Sequence, residues 1–109
     1  MTPHPRLLML AAALLTGGAV LAQDASALRA RGLAATCAQC HGTDGRAPAG
    51  SAVPALAGTP AAYLAEQLQA FKSGVRPGTV MPQLAKGYSD AQIAQLAAYF
   101  ANPVAVVKP

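Results

Sequence analysis

Two cysteines and one histidine stand within five residues, Cys37-Ala38-Gln39-Cys40-His41, and the 109-residue chain has no other cysteine. No other feature of the sequence constrains the fold as strongly. With two cysteines, a framework of several disulfides is excluded. A spacing of three residues puts both thiols on one side of a helical turn. The histidine follows the second thiol at once, and Gly42 after it lets the chain turn away. Whatever these three side chains hold is gripped by one short stretch on one face, so the rest of the fold has to supply the other face.

The first part of the chain is read as lying outside the folded domain. Arg6 gives a short basic start, Leu7 to Leu15 form an apolar run, and Gly17-Gly18 and "AVLA" follow. This is the pattern of a secretory signal peptide, with cleavage after Ala22 and a mature domain over 23–109. The competing reading is an uncleaved anchor. The run from Leu7 to Leu21 is 15 residues, against the about 20 a membrane span needs. Removing the first 22 of 109 residues leaves 87, small for a chain that relies on its own core alone. Something has to staple it, and a cofactor joined to both cysteines would do so. Loss of Arg6 also takes the formal charge from +4 to +3, with no basic run to suggest nucleic acid.

C-x-x-C-H is the attachment signature of a c-type haem. Each haem vinyl group takes one thiol, which assigns Cys37 and Cys40 to two thioethers, and the adjoining imidazole of His41 points at the iron. Three other readings are weighed against it, the plainest being ordinary core residues with no cofactor. A thioredoxin-like dithiol belongs after a strand in a βαβ pattern, whereas the flanks here are alanine-rich and helical. A structural zinc site needs four ligands, and the mature chain offers two cysteines and one histidine. A single covalent haem c is the reading retained.

The remaining residues read as all-α, with three main helices and two long loops. Residues 24–40 are expected to form one helix, capped by Asp24 or Ser26. Gly42 to Gly58, with four glycines and two prolines, is a loop. Thr59 and Pro60 open a second helix that ends at Gly74, with Tyr63, Leu64, Leu68 and Phe71 as its apolar face. Residues 75–87 are expected to be a loop without regular structure, because of Pro77, Gly78, Pro82 and Gly87. The last helix opens on a capping box, Ser89 with Gln92, and stops at Asn102-Pro103. Loops of 17 and 13 residues are long for so small a domain, and make sense if they wrap a flat apolar group.

The second iron ligand follows by elimination. His4, Met1 and Met9 fall in the signal segment, so His41 is the one mature histidine and Met81 the one mature methionine. Met81 lies 40 residues beyond His41 in the second loop. His/Met ligation is an electron-transfer arrangement. The rival is an open or water-bound sixth position.

Taken together, CAQCH, "VPALAG", a loop methionine and a final aromatic helix resemble a class I cytochrome c, over residues 24–102. The resemblance implies that the Pro54 carbonyl accepts the Nδ1 proton of His41, with Leu56 against the porphyrin. It also implies a close crossing of first and last helices, for which Gly32 with Tyr99 or Phe100 are the candidates. The stretch 71–100, "FKSGVRPGTVMPQLAKGYSDAQIAQLAAYF", is similar to the cytochrome subunit of flavocytochrome c sulfide dehydrogenases. That resemblance implies periplasmic electron transfer from a flavoprotein partner, with no catalytic site in this chain. The alternative is a free-standing, diffusible monohaem carrier.

Overall fold

The computed structural model describes residues 25–103. The expected signal segment, its cleavage after Ala22, the capping candidate Asp24 and the tail beyond 103 lie outside the described residues. Among the described residues the architecture is all-α, without a strand, as the sequence pattern predicts. Helix α1 covers residues 25–35, with Ser26 inside it rather than capping it. The short α2, Ala38–His41, carries the second cysteine and the histidine. A 3₁₀ turn, Thr43–Gly45, precedes a long irregular segment. Then come α3 (Ala61–Ser73), α4 (Met81–Lys86) and α5 (Asp90–Ala101).

The single helix expected over 24–40 is broken at Thr36-Cys37. Thr36 Oγ1 donates to the Leu33 carbonyl at 2.8 Å, and the Cys37 amide reaches the Ala34 carbonyl at 3.0 Å, a three-residue rather than four-residue step. A threonine hydroxyl competing for a backbone carbonyl tightens the turn in this way. Its single proton being committed to Leu33, Thr36 accepts from the Tyr88 hydroxyl at 3.0 Å, which joins the break to the segment before α5.

Residues 75–87 also depart from expectation, because α4 lies inside them. Pro82 excludes a helix interior but not a helix start. At the first positions its missing N–H is a donor that would lack a partner anyway. At α3 the helix begins one residue later than expected, with Pro60 rather than Thr59 at the N-cap. Gly74 ends it in the left-handed conformation, as expected.

The core is organised on α5. Ile93, Leu96, Ala97 and Phe100 form the expected stripe, and Tyr99 widens it. Leu96, Ala97, Tyr99 and Phe100 form one cluster with Ala34 of α1 and Leu64 of α3, with Leu33, Leu56, Leu68 and Tyr88 packed at its edges. Burying each large side chain of this set contributes about 2 kcal/mol. The capping box closes the front of α5: the Gln92 amide bonds to Ser89 Oγ at 3.1 Å and the Ser89 amide to Gln92 Oε1 at 2.9 Å. Tyr63 is not on the inner face of α3. Leu64, Leu68 and Phe71 share a stripe at four- and three-residue steps, and Tyr63, one residue ahead, stays 52% exposed.

The close approach of a small residue to α5 is present at a different position from the one expected. A side chain added at Gly32 would meet nothing within 4 Å. At Gly45 an added Cβ would come within 2.8 Å of Phe100 Cδ1 and 3.0 Å of the Ala57 amide nitrogen. Gly45 therefore brings the turn after α2 against α5, while Ala34 fills the α1 side.

Candidate cofactor site

The C-x-x-C-H residues are placed by backbone geometry. Cys37 is the N-cap of α2, and its carbonyl accepts from the amides of Cys40 (3.3 Å) and His41 (2.9 Å). One helical turn thus carries Cys37, Cys40 and His41. Gly42 turns the chain out of it at φ +81°, where an added Cβ would lie 2.3 Å from the Arg46 carbonyl oxygen, so only glycine fits. Both cysteines are free thiols, Cys37 half-buried and Cys40 exposed. Burial pushes the Cys37 thiol above its ordinary value, and Cys40 adds to this, while contacts with Thr36 and Tyr88 act the other way.

His41 is buried, 8% exposed. Its Nδ1 lies 2.7 Å from the Pro54 carbonyl oxygen. A carbonyl can only accept, so Nδ1 carries the proton and Nε2 keeps the lone pair. A histidine that binds a metal is usually oriented by such a bond from its other nitrogen.

Pro54 is held in turn by a strap that runs back to α5. The amides of Leu56 (2.8 Å) and Ala57 (3.1 Å) both donate to the Gly45 carbonyl, and the Gly58 amide donates to the Phe100 carbonyl at 2.8 Å. Leu56 packs at the edge of the core cluster. The Tyr99 hydroxyl, in a ring that is 2% exposed, donates to Asp44 Oδ1. Burial raises the Tyr99 phenol above its ordinary value and the bond to Asp44 adds to the effect, with Arg31 opposing it. Asp44 adopts φ +53°, uncommon for a residue with a side chain. Asp44 and Gly45 support the site although neither is of a haem-ligand type, and Tyr99 serves it through Asp44 rather than through Gly32. The dipeptide Asp44-Gly45 is a turn signal that pointed to this place.

Met81 opens α4 and is half-buried. The helix has a packed side, Pro82 and Ala85, and an open apolar side, Val80 and Leu84, which are 56% and 48% exposed. Cys37, Cys40, His41, Pro54 and Leu56 therefore belong to one proximal unit between α2 and α5. Met81 belongs to a second unit with α3, against which α4 packs.

Residues 25–100 match the family described as cytochrome C oxidase, cbb3-type, subunit III. The chain belongs to this cytochrome c family. Its fold is the small class I cytochrome c fold. The relatives of this cytochrome include a cytochrome c4 of Pseudomonas aeruginosa, 44% identical over 88 residues, covering 81% of this chain and 42% of that protein. The cytochrome subunit of sulfide dehydrogenase of Chlorobaculum tepidum is 43% identical over 70 residues, covering 64% of this chain and 62% of that subunit. Cytochrome c-554(548) of Halomonas halodenitrificans is 41% identical over 70 residues, covering 62% of this chain and 83% of that protein. This cytochrome thus spans less than two thirds of the length of the first two.

The residues present fit a covalently attached haem c. Two free thiols share one helical turn, the adjoining imidazole has its Nε2 lone pair available, and Gly42 clears the chain away. No group of three His, Cys, Asp or Glu among the described residues could hold a metal ion, so a zinc site built from protein ligands lacks its donors there. A haem held there would supply a one-electron Fe(II)/Fe(III) couple. Pro54 fixes the tautomer and the ring of His41, and the strap from Gly45 to Gly58 fixes Pro54. Phe100 and Tyr99 keep water from the rear of that strap.

Proposed function

We propose that this cytochrome works in the periplasm after removal of residues 1–22, with 23–109 as its monohaem domain, through an iron ligated by His41 and Met81. In this reading Cys37 and Cys40 carry the two thioethers and Leu56 contacts the porphyrin. It accepts electrons as the cytochrome subunit of a sulfide-oxidising flavoprotein. The observation that carries this reading is the 43% identity to the sulfide dehydrogenase subunit of Chlorobaculum tepidum. The partner surface is the open apolar side of α4, with Val80 and Leu84, beside Met81. Two cations near it are already engaged: Lys72 pairs with Asp90 at 2.8 Å, and Arg76 contacts Gln67 and Phe71. Few charges remain to steer an ionic encounter, which favours an apolar contact. Among the described residues no helix is long and apolar enough to cross a membrane.

The test has two parts. Ferric protein should show the far-red sulfur-to-iron charge-transfer band, and Met81→Ala should abolish it and lower the potential. A band that survives refutes the ligand. The cytochrome should copurify with the flavoprotein, and sulfide should reduce its haem faster when that partner is present. A second reading, a diffusible carrier, is favoured by the match to cytochrome c-554(548), of which this chain spans 83%. It stands if the protein runs alone and the flavoprotein leaves the reduction rate unchanged.

A further inference from the structure

We infer that Arg76 is a positioning residue for Met81, a clasp that moors the segment 74–80 to α3 and so limits how often the methionine leaves the iron. The inference rests on Met81 as the sixth ligand. Residues 74–80 are exposed throughout, with Val75 at 81%, so burial does not hold them. Gly74 and Gly78 add backbone freedom, and a chain of this kind opens easily unless specific contacts close it.

Arg76 supplies three such contacts, all to α3. Its amide donates to the Ala70 carbonyl at 2.9 Å, past the end of the helix. Its guanidinium lies 4.5 Å from the centre of the Phe71 ring. Its Nη1 donates to Gln67 Oε1, one helical turn back from Phe71. Among the described residues no other side chain of 74–80 makes a hydrogen bond. The clasp leads directly to the ligand. The Phe71 ring that Arg76 covers also bounds Gly78, where an added Cβ would lie 3.4 Å from Phe71 Cε1 and 3.1 Å from Pro82 Cδ. Pro82 follows Met81. Arg76, Phe71, Gly78 and Pro82 therefore form one row ending beside the methionine. Lysine would keep the charge but lose the fork that spans ring and amide.

The experiment uses the haem-loaded ferric protein. Imidazole is titrated while the far-red sulfur-to-iron band is followed, because imidazole binds the population in which Met81 has left. Loss of the clasp raises that population, and the apparent affinity rises by the same factor. Arg76→Gln should bind imidazole about fivefold more tightly, the scale of one exposed cation–π contact with its hydrogen bond. Gln67→Ala should shift the affinity in the same direction by less, and Arg76→Lys should fall between wild type and Arg76→Gln. A role confined to general stability would lower the melting temperature and leave the imidazole affinity as it was. That result overturns the inference, as does an affinity unchanged in both Arg76→Gln and Gln67→Ala. Wild-type protein without the band overturns the Met81 reading and the clasp with it. A wild-type band with unchanged affinity in the variants overturns the clasp alone.

Discussion

The proximal unit and the Met81 unit secure their groups by different means. Around His41 the chain is held by backbone hydrogen bonds, buried rings and left-handed residues: Gly42, Asp44 and Gly45 all have positive φ. Ahead of Met81 the chain is exposed, and Arg76 ties it to α3 through its amide and its guanidinium. Packed backbone has few alternative states, because opening it exposes rings and orphans amides. Exposed contacts are individually weak and open on their own. In the proposed His41/Met81 ligation the His41 face would be rigid and the Met81 face exchangeable, and each should respond to its own kind of mutation.

The largest effect is expected from removing the two proposed thioether residues. Cys37→Ala with Cys40→Ala should yield a chain that loses haem on denaturing gels and lacks cooperative folding. The loss approaches the whole stability of a small domain, about 5 kcal/mol or more. Haem staining and far-UV circular dichroism check it, and a folded, cooperatively melting apoprotein would contradict it.

Next in size is the contrast between two glycines. Gly45→Ala meets Phe100 and the Ala57 amide and forces φ +75° on a side chain, so it should destabilise by about 3 kcal/mol. Gly32→Ala has open space inside α1 and should stabilise by about 0.5–1 kcal/mol. Denaturant melts of the two holoproteins should move in opposite directions. Equal shifts would mean that the proximal unit is not packed as described.

A smaller effect is expected at Tyr99. Tyr99→Phe removes the bond to Asp44 and should destabilise by about 1 kcal/mol at neutral pH. Because the folded phenol is raised, its contribution is complete below the ordinary tyrosine range and is lost as pH rises through the raised value. Wild type and Tyr99→Phe should therefore converge in stability above about pH 10. A difference that persists at higher pH would show that the hydroxyl is not the cause.

The smallest effect belongs to Asp90, which bonds Lys72 (2.8 Å) and Gln69 (3.0 Å) across α3 and α5. The bonds from Gln69 and Lys72 lower its carboxyl pKa, so the pair stabilises above the usual carboxylate range and is lost as pH falls below it. Asp90→Asn should flatten the acid limb of stability slightly and leave the Met81 band untouched.

Much of this was legible in the sequence, for particular reasons. Cys37, Cys40 and His41 are neighbours in sequence, so a single helical turn is enough to bring them together. Ser89 and Gln92 satisfy each other's backbone partners locally, so their box needed no tertiary information. The difference between Gly32 and Gly45 was not legible, since glycine reports only that a side chain is absent. Which glycine meets an aromatic ring depends on packing between residues 55 positions apart. The short α4 was hidden for a similar reason: two prolines and two glycines read as loop, and contact with α3 is what makes six residues helical. The Arg76 row depends on a chain reversal after Gly74 that residue type alone does not set.

The bond from the Gly58 amide to the Phe100 carbonyl, with that from Tyr99 to Asp44, carries a consequence for the order of assembly. Both join the segment after His41 to the last turn of α5. Closing such distant pairs is slow compared with forming the helices themselves. Until the ribosome has released the chain through residue 100, the strap has nothing to close against and Pro54 cannot orient His41. The segment from His41 to Gly58 therefore orders only once the last turn of α5 is in place.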